Sequence, residues 1–381
     1  MELIRSNSTK QKNTVEAVKE VTSKLHTEPS LLLFFTSTTH SFQEVTALFN
    51  AQYPNSEVVG LTTTGEIGPS GFLENGLIAM SFAKSIGQIS TVLMNDISKY
   101  PVFSRNDLIS AAKHIGINLN SQALEKEGLA LVFPNGLIAA EEKMLSIVNS
   151  IFPHEAFLVF GATAGDDAKF IETFVSLNGE VSSKGGLVIF MKPTVDFVML
   201  KENIFTSTGK SMKITKADTE QRIVYELDGK KATTIYAKQL GVKENELDQY
   251  FMTNPLGRRF NNEIFIASPF QILPNGAIQF YCQVFQDSIV EILEPKNPVE
   301  TLQQTLHTFK SEFTELEGVL AFNCILRKLQ FQSHGIFPEL NRELEKLPNL
   351  GGFCSYGEQF NKSLVNQTLV LLGFGKKRQE R

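Results

Sequence analysis

The chain is poor in the residues that mark several functional classes, beginning with cysteine. Its 381 residues include three cysteines, Cys282, Cys324 and Cys354. They are widely spaced and form no CxxC pair, which excludes a cysteine-rich zinc site. An odd number of unpaired thiols fits a reducing compartment, so the sequence predicts a cytoplasmic protein.

Positive charge and long apolar runs are scarce too. Lys and Arg number 36 against 41 Asp and Glu, a formal net charge of −5, which leaves no basic face for a phosphate backbone and argues against nucleic acid as a partner. No run approaches the roughly 18 apolar residues that span a bilayer. The opening residues lack the basic and apolar regions of a signal peptide. We expect a protein that neither crosses nor enters membranes.

Familiar catalytic motifs are absent as well. The sequence has no GxSxG elbow, HExxH helix or GxGxxG turn, and the Gly-Lys-Ser at 209–211 lacks the upstream glycine of a phosphate loop. The sequence therefore predicts a non-catalytic protein. An enzyme with an unrecognised active site is an alternative, in which Glu66 pairs with His40, or Cys354 with His334.

The chain contains one pattern of predicted elements that is repeated three times. Each copy has an amphipathic helix, an apolar strand, a second helix, a second strand, a Gly-rich turn that ends in an acid, and a third strand. The first strands are predicted at 31–35, 129–133 and 319–322, the turns at 60–66, 161–166 and 352–358, and the third strands at 77–80, 187–190 and 369–372. Short apolar runs between helix-period segments are typical of strands buried on both faces and covered by helices.

This pattern predicts an α/β fold of two domains, with mixed β-sheets covered by helices and built from repeated helix-strand-helix-strand-strand units. A single core stops growing at roughly 250–300 residues, which this chain exceeds. A polar stretch near 193–215 interrupts the strand pattern. We therefore place the first two units in an N-terminal domain, 1–205, and the third in a C-terminal domain, 206–381.

The segment ahead of the third unit is predicted to be rich in hairpins. Asp228-Gly229 lies between apolar runs at 223–227 and 232–236, and such a dipeptide is a strong hairpin signal. A second hairpin is predicted around 274–276, between runs at 264–267 and 277–281.

Four stretches resemble signature segments of the FIST family: 59–66 (VGLTTTGE), 160–167 (FGATAGDD), 227–230 (LDGK) and 352–359 (GFCSYGEQ). The resemblance covers nearly the whole chain, as a FIST N domain at 1–205 followed by a FIST C domain at 206–381. It implies an intracellular sensory module that binds a small ligand in a cleft. Such a module would relay the signal to a partner such as a histidine kinase or a cyclic-dinucleotide enzyme.

Segments 322–328 and 365–368 resemble a bacterial branch that includes haem-binding nitric oxide sensors. Haem is therefore an alternative ligand and cofactor. Leu364 stands where that branch has His, and Asn323 where Asp is usual. The candidate haem ligands are His40 and His334, which both follow the first strand of a unit. No other metal ligand is assigned.

The Gly-rich turns are the predicted ligand site. A turn at the end of a buried strand exposes backbone N–H groups that can hold a carboxylate, while the acids can accept an ammonium group. An amino-acid-like ligand fits such a site between the domains. The predicted residues are Thr62, Thr63, Thr64, Gly65, Glu66, Thr163, Gly165, Asp166, Ser355, Tyr356, Gly357 and Glu358. The alternative is that each acid accepts a local N–H and only caps its own turn.

An interaction scaffold is a further alternative. Arg258-Arg259 and Arg327-Lys328 would then present positive charge to the acidic face of a partner. Pairs of this kind more often serve only to keep a surface soluble.

Overall fold

The computed structural model describes residues 2–152, 157–260 and 263–379. It confirms the α/β class with mixed sheets, and the threefold pattern of the sequence appears as three similar units. Unit one spans 4–82 and unit two spans 87–193. Unit three spans 196–377 and carries a β-rich insertion at 205–295.

Unit one has the predicted order of strands and helices, with one strand added in front and a short hairpin after the Gly-rich turn. Its elements are β1 (Ile4–Thr9), α1 (Thr14–Thr22), β2 (Leu31–Thr36), α2 (Phe42–Gln52), β3 (Glu57–Thr62), β4 (Glu66–Gly68), β5 (Gly71–Leu73) and β6 (Leu77–Phe82). Side chains of Asn13 and Ser41 accept hydrogen bonds from the first turns of α1 and α2, which fixes where these helices begin.

Unit two repeats this order. Its elements are β7 (Gly87–Met94), α3 (Arg105–His114), α4 (Leu124–Glu127), β8 (Leu129–Pro134), α5 (Glu141–Ser150), β9 (Leu158–Ala162), β10 (Val175–Leu177), β11 (Glu180–Ser182) and β12 (Gly186–Pro193). Short 3₁₀ segments occur at Lys84–Ile86 and Pro101–Ser104.

Unit three opens with β13 (Asp196–Asn203) and continues after the insertion. The insertion comprises β14 (Phe205–Asp218), β15 (Ile223–Leu227), β16 (Lys230–Lys231), α6 (Ala232–Leu240), a 3₁₀ segment (Glu244–Tyr250), β17 (Leu256–Phe260), β18 (Glu263–Ala267), β19 (Pro269–Ile272), β20 (Ile278–Phe280) and β21 (Ile289–Pro295). The rest of the unit comprises α7 (Pro298–Ser311), β22 (Phe313–Cys324), α8 (Ile325–His334), α9 (Phe337–Leu344), β23 (Leu350–Ser355), β24 (Glu358–Phe360), β25 (Ser363–Val365) and β26 (Thr368–Lys377).

Each unit builds a six-stranded sheet around a central parallel pair. The pairs are β2 with β3, β8 with β9, and β22 with β23. An antiparallel strand follows on one side, β6, β12 or β26, and the added first strand of the unit lies beyond it. Thus β13, which precedes residue 205, pairs with β26 of the third unit.

The hairpins on the other side of each sheet are exchanged between units. Hairpin β4–β5 of unit one pairs with β23 of unit three, and β24–β25 of unit three pairs with β9 of unit two. Hairpin β10–β11 of unit two pairs with β3 of unit one. The exchange is cyclic, so each unit completes a neighbour's sheet.

The three sheets share one central core. Along β2, Leu31, Leu33 and Phe35 face that core, while Leu32 and Phe34 face the covering helices. This alternation explains why strands buried on both faces read as continuous apolar runs. None of the helices in the described part of the chain has the length and apolar character needed to cross a membrane.

Three phenylalanines, one from each unit, meet at the middle of the core. Ring centroids of Phe35, Phe133 and Phe322 lie 5.6–6.4 Å apart, and all three side chains are buried. They hold equivalent positions, one residue after the strand residues that pair with Gly60, Gly161 and Gly352. The repeat in the sequence thus places an aromatic contact on the axis that relates the units.

Both predicted hairpins of the insertion have their turn at the predicted place. In each of them, one of the two predicted strands is wrong. Residues 232–236 form the start of α6, because Ala232, Ile235 and Tyr236 bury one helical face and Gly241 ends the helix at φ +79°. The turn at 274–276 joins β19 to β20, whereas β18 pairs with β17. Tertiary packing outweighs the β preference of Thr, Ile and Tyr in α6.

Replacing Phe322 by alanine should lower the free energy of unfolding by about 3–5 kcal/mol, because the cavity left at the shared centre cannot be filled by solvent. Urea denaturation measures this difference. Phe103 is 76% exposed, so Phe103→Ala should change the value by less than about 0.5 kcal/mol. Equal losses in the two variants would contradict a central role for the phenylalanine contact.

Candidate functional site

The three Gly-rich turns lie together and hydrogen-bond directly to one another. Turns of units one and two, one and three, and two and three are all joined through backbone groups. The donor and acceptor pairs are Gly165 N to Thr62 O (2.9 Å), Asp167 N to Thr63 O (2.9 Å), Thr64 N to Cys354 O (3.0 Å), Cys354 N to Gly65 O (2.7 Å), Thr163 N to Gly357 O (2.8 Å) and Tyr356 N to Thr163 O (3.3 Å). These six N–H groups are therefore engaged by carbonyls of the neighbouring turns, in a turn junction formed by residues 62–65, 163–167 and 354–357.

The hydroxyl groups of the predicted site are engaged as well. Thr62 Oγ1 accepts from the Phe174 amide at 2.9 Å, and the Thr64 hydroxyl donates to the Cys354 carbonyl at 2.6 Å. Thr163 Oγ1 accepts from the Gln359 side-chain amide at 2.8 Å. All three threonines are buried.

Glu66 and Glu358 are held in matching local arrangements. Glu66 is fully buried and accepts the Thr63 hydroxyl at 2.6 Å and the Gly76 amide at 3.0 Å. Glu358, also fully buried, accepts the hydroxyls of Ser355 and Thr368, each at 2.6 Å. Each acid thus bonds the hydroxyl three residues before it, as a local cap would.

Burial changes the protonation of these two carboxyl groups. Loss of solvation raises the pKa of Glu66 to about 8 and the pKa of Glu358 to about 7, against an ordinary value of 4.5. The hydrogen bonds they accept oppose the shift without cancelling it.

Asp166 anchors a loop of unit two, residues 167–172. Its carboxylate accepts the amides of Phe170 (3.0 Å), Ile171 (2.6 Å) and Glu172 (3.1 Å), and the Tyr356 hydroxyl donates to it from unit three. The loop needs such an anchor, because non-glycine residues within it adopt positive φ; Asp167, Ala168 and Phe170 have values of 54–60°. The Phe170 ring stacks on Tyr356, with centroids 5.2 Å apart and an interplanar angle of 6°.

A cavity of about 620 Å³ opens beside this loop. Its walls come from unit two (136–141, 168 and 170), the insertion (220–222, 270 and 279–281) and unit three (324–329, 356 and 366). Of the predicted site residues, all of which the structure describes, Tyr356 lines the cavity and the other eleven lie in or beside the turn junction. The large apolar and aromatic lining residues are Leu137, Phe170, Phe270, Phe280, Tyr281, Ile325, Leu326, Leu329 and Tyr356.

Arg222 and Asn366 are among the polar groups of the cavity that the predicted site residues do not include. Arg222 is paired with Glu141 at 2.8 Å and with Glu142, and it donates to the Tyr281 carbonyl. Asn366 is 1% exposed, and its Oδ1 has no hydrogen-bond partner among the described residues. Asn366 belongs to the segment 365–368 that carries part of the family resemblance, which was the signal available for it.

The candidate haem ligands do not reach this cavity. His40 is 4% exposed, its Nδ1 lies 3.4 Å from Thr14 Oγ1, and burial lowers its pKa. His334 is the exposed last residue of α8. Neither histidine lines the cavity, so these residues do not fit a haem bound there. Across the described residues, no cluster of three or more His, Cys, Asp or Glu is placed to hold a metal ion.

The catalytic pairs considered from the sequence do not form contacts. Glu66 bonds Thr63 and Gly76 rather than His40. Cys354 is buried, with Asn323 Nδ2 3.8 Å from its sulfur, and burial raises its pKa to about 12. A thiol of that kind is a poor nucleophile near neutral pH.

The expectation that Arg327 is exposed is wrong. Its side chain is 2% exposed, pairs with Glu202 of β13, and donates to Asn323 Oδ1 at 2.9 Å. A buried guanidinium needs such partners, so Arg327 connects α8 to the edge of the sheet and presents no charge to a partner protein. Lys328 donates to the Thr64 carbonyl at 2.8 Å and so braces the turn junction.

We expect Glu66→Gln to flatten the dependence of stability on pH. With a folded pKa of about 8 and an unfolded pKa near 4.5, the carboxyl favours folding fully below pH 4.5. Between these values the unfolded chain releases a proton that the folded chain keeps, so the free energy of unfolding falls by about 1.4 kcal/mol per pH unit. Neutral glutamine removes that slope.

Urea denaturation across this pH range measures the effect, with Glu16→Gln on the exposed surface of α1 as the control. The control should keep the wild-type slope. A Glu66→Gln variant with an unchanged slope would show that the carboxyl is ionised in the folded protein.

Tyr356→Phe should loosen the loop at 167–172, because it deletes the hydroxyl that bonds Asp166 and keeps the ring. Loss of one hydrogen bond to a charged group, about 1.4 kcal/mol, corresponds to about tenfold lower hydrogen-exchange protection at the amides of Phe170, Ile171 and Glu172. Tyr100 is 54% exposed, so Tyr100→Phe serves as the matched control. Unchanged protection in Tyr356→Phe would mean that Asp166 alone holds the loop.

Comparison with known families agrees with this architecture. A model of the FIST N domain matches residues 30–230, and a model of the FIST C domain matches residues 232–361. An uncharacterized protein of Methanocaldococcus jannaschii is 21% identical in an alignment that covers 88% of this chain and 71% of that protein. FIST domains are sensory domains of signal transduction. With more than half of its residues matched, the chain belongs to the FIST family.

Proposed function

We propose that this chain is a non-catalytic sensory module that binds a small ligand in the 620 Å³ cavity and relays the event to a signalling partner. A histidine kinase or a cyclic-dinucleotide enzyme is the kind of partner that the family resemblance implies. Ligand sites are typically concave, mostly apolar spaces of about 300–1,000 Å³ with a few polar groups, and the cavity fits this description.

The observation that carries the proposal is that both family-matched segments contribute residues to the cavity wall. Residues 136–222 of the wall lie in the segment matched by the FIST N domain, and residues 270–356 in the segment matched by the FIST C domain. A ligand in this cavity contacts both segments at once. Differential contact with two arrangements of a protein is the requirement for a ligand to shift an equilibrium between them.

In this proposal the Gly-rich turns support the cavity wall, and of their predicted residues Tyr356 lines the cavity. Their mutual hydrogen bonds fix Asp166 and Tyr356 beside the cavity, where Tyr356 and the Phe170 ring stacked on it both form part of the wall. An amino-acid-like ligand would meet Glu141 and Glu220 there rather than the turn acids. Haem is not carried forward, because neither candidate histidine lines the cavity.

A thermal-shift screen of amino acids, small carboxylates and aromatic heterocycles tests the proposal. A true ligand should raise the melting temperature by a few degrees at saturating concentration, roughly the effect of 2–3 kcal/mol. Leu329 lies on α8 in the cavity wall, and Leu329→Trp should fill the space and abolish the shift. Ile289 is 63% exposed and outside the wall, so Ile289→Trp should leave the shift intact.

Two outcomes would contradict the proposal. Ligands that stabilise the wild type and Leu329→Trp equally would bind elsewhere. Conversion of a bound compound to product by the purified chain would favour the enzyme alternative.

A further inference from the structure

We propose that the ligand of this cavity is an organic cation, a quaternary or alkylated ammonium compound that carries no carboxylate or phosphate. Its charged group would lie against the aromatic side chains of the wall and near the carboxylate of Glu220. This assignment rests on the proposed function, because it names the class of ligand for the same cavity.

Aromatic side chains line the cavity in two pairs. Phe170 and Tyr356 stack with their ring centroids 5.2 Å apart, and the insertion contributes Phe270 and Tyr281, whose centroids are 4.9 Å apart. Phe170 is 55% exposed and Phe270 is 44% exposed, so each pair has ring surface open to a bound molecule. The faces of aromatic rings carry partial negative charge and attract cations, and quaternary ammonium groups are ligands that proteins bind in this way.

A carboxylate without a partner lies at the same wall. Glu220 lines the cavity from the turn between β14 and β15, and its side chain is exposed. Among the described residues this carboxylate has no ion pair and no hydrogen-bond donor. An unpaired anionic group beside aromatic rings favours a positively charged ligand and disfavours a negatively charged one.

Arg222 is the cationic residue among the described lining residues, and its charge is already balanced. Its guanidinium pairs with Glu141 at 2.8 Å and with Glu142, and it donates to the Tyr281 carbonyl. Burial raises the pKa of Glu141 and Arg222 opposes that shift, so the three groups together are neutral or negative according to whether Glu141 holds a proton. A carboxylate or phosphate on the ligand would meet no unpaired positive partner here.

These observations separate an organic cation from two other classes of ligand. A free amino acid could place its ammonium group against the rings, but its carboxylate would lose solvation beside Glu220 with no cation to pair with it. A neutral apolar molecule would bury surface against the rings and Leu329 and would gain nothing from charge. An alkylated ammonium compound gains from both, because its alkyl groups bury apolar surface while its charge is attracted to the ring faces.

Choline tests this assignment, with 3,3-dimethyl-1-butanol as its matched control. The two molecules have nearly the same shape, and the control has a neutral carbon atom where choline has its charged nitrogen. Each compound gives one strong methyl singlet, so ligand-observed NMR titration at a fixed ionic strength measures both in the same way.

Wild-type protein should bind choline about tenfold more tightly than the control, because the ring faces and one carboxylate act only on the charged molecule. Phe170→Leu keeps an apolar side chain and removes a ring, so it should weaken choline binding about two- to fivefold and affect the control less. Phe103 is 76% exposed and outside the wall, so Phe103→Leu should behave as wild type.

Glu220→Gln should weaken choline binding about threefold and leave binding of the control unchanged, since the substitution removes a charge and keeps the size of the side chain. Added salt should weaken choline binding by the wild type more than by this variant, because salt screens exposed charges. Glu16→Gln, on α1 and outside the wall, should keep the wild-type affinity.

Equal binding of choline and 3,3-dimethyl-1-butanol by the wild type would overturn the assignment, and this comparison needs no variant to fold. A choline preference that is unchanged in both Phe170→Leu and Glu220→Gln would overturn it too, as would choline binding that survives in Leu329→Trp. If neither molecule binds while other compounds give shifts that Leu329→Trp abolishes, the ligand class is wrong and the proposed function stands. If no compound of any class is sensitive to Leu329→Trp, the proposed function fails with it.

Discussion

Hydrogen bonds among the three Gly-rich turns are the constraint on which the rest of this structure depends. At the turns, each chain segment leaves its own sheet and passes to a neighbour's, as β4–β5 does in reaching β23. The exchange buries the turn acids and sets Phe35, Phe133 and Phe322 against one another. Separating any one unit would expose unpaired strand edges in two sheets, so the units stabilise each other rather than standing as independent bodies.

The candidate site lies where the three units differ from one another. Thr64, Gly165 and Tyr356 hold equivalent positions after the paired strands, yet only the tyrosine carries an aromatic ring, and its hydroxyl bonds Asp166 of unit two. The insertion in unit three then covers this position with aromatic residues of its own. Units two and three therefore form part of the cavity wall, and the insertion forms the rest.

Local sequence patterns predicted the repeats and the strands of each unit, because these depend on periodicity and on residues that form turns. They did not predict which sheet receives each hairpin, since strand partners far apart in the chain leave no local trace. For the same reason Arg327 was expected at the surface, although Glu202 and Asn323 were both available to pair with it. The cavity was missed because its walls come from three distant segments, and the predicted ligand-site residues included Tyr356 alone among its lining.

Asp166 connects these parts of the structure. Its carboxylate holds three amides of a loop whose residues Asp167, Ala168 and Phe170 adopt disfavoured backbone angles, at a cost of order 1 kcal/mol or more each. The loop therefore keeps its shape through the bonds at Asp166 and the stacking of Phe170 on Tyr356. Under the proposed function, a ligand that displaces Phe170 acts directly on this balance. Ile171 follows in the chain and is 79% exposed, so a change at the cavity would appear on the outer surface one residue away.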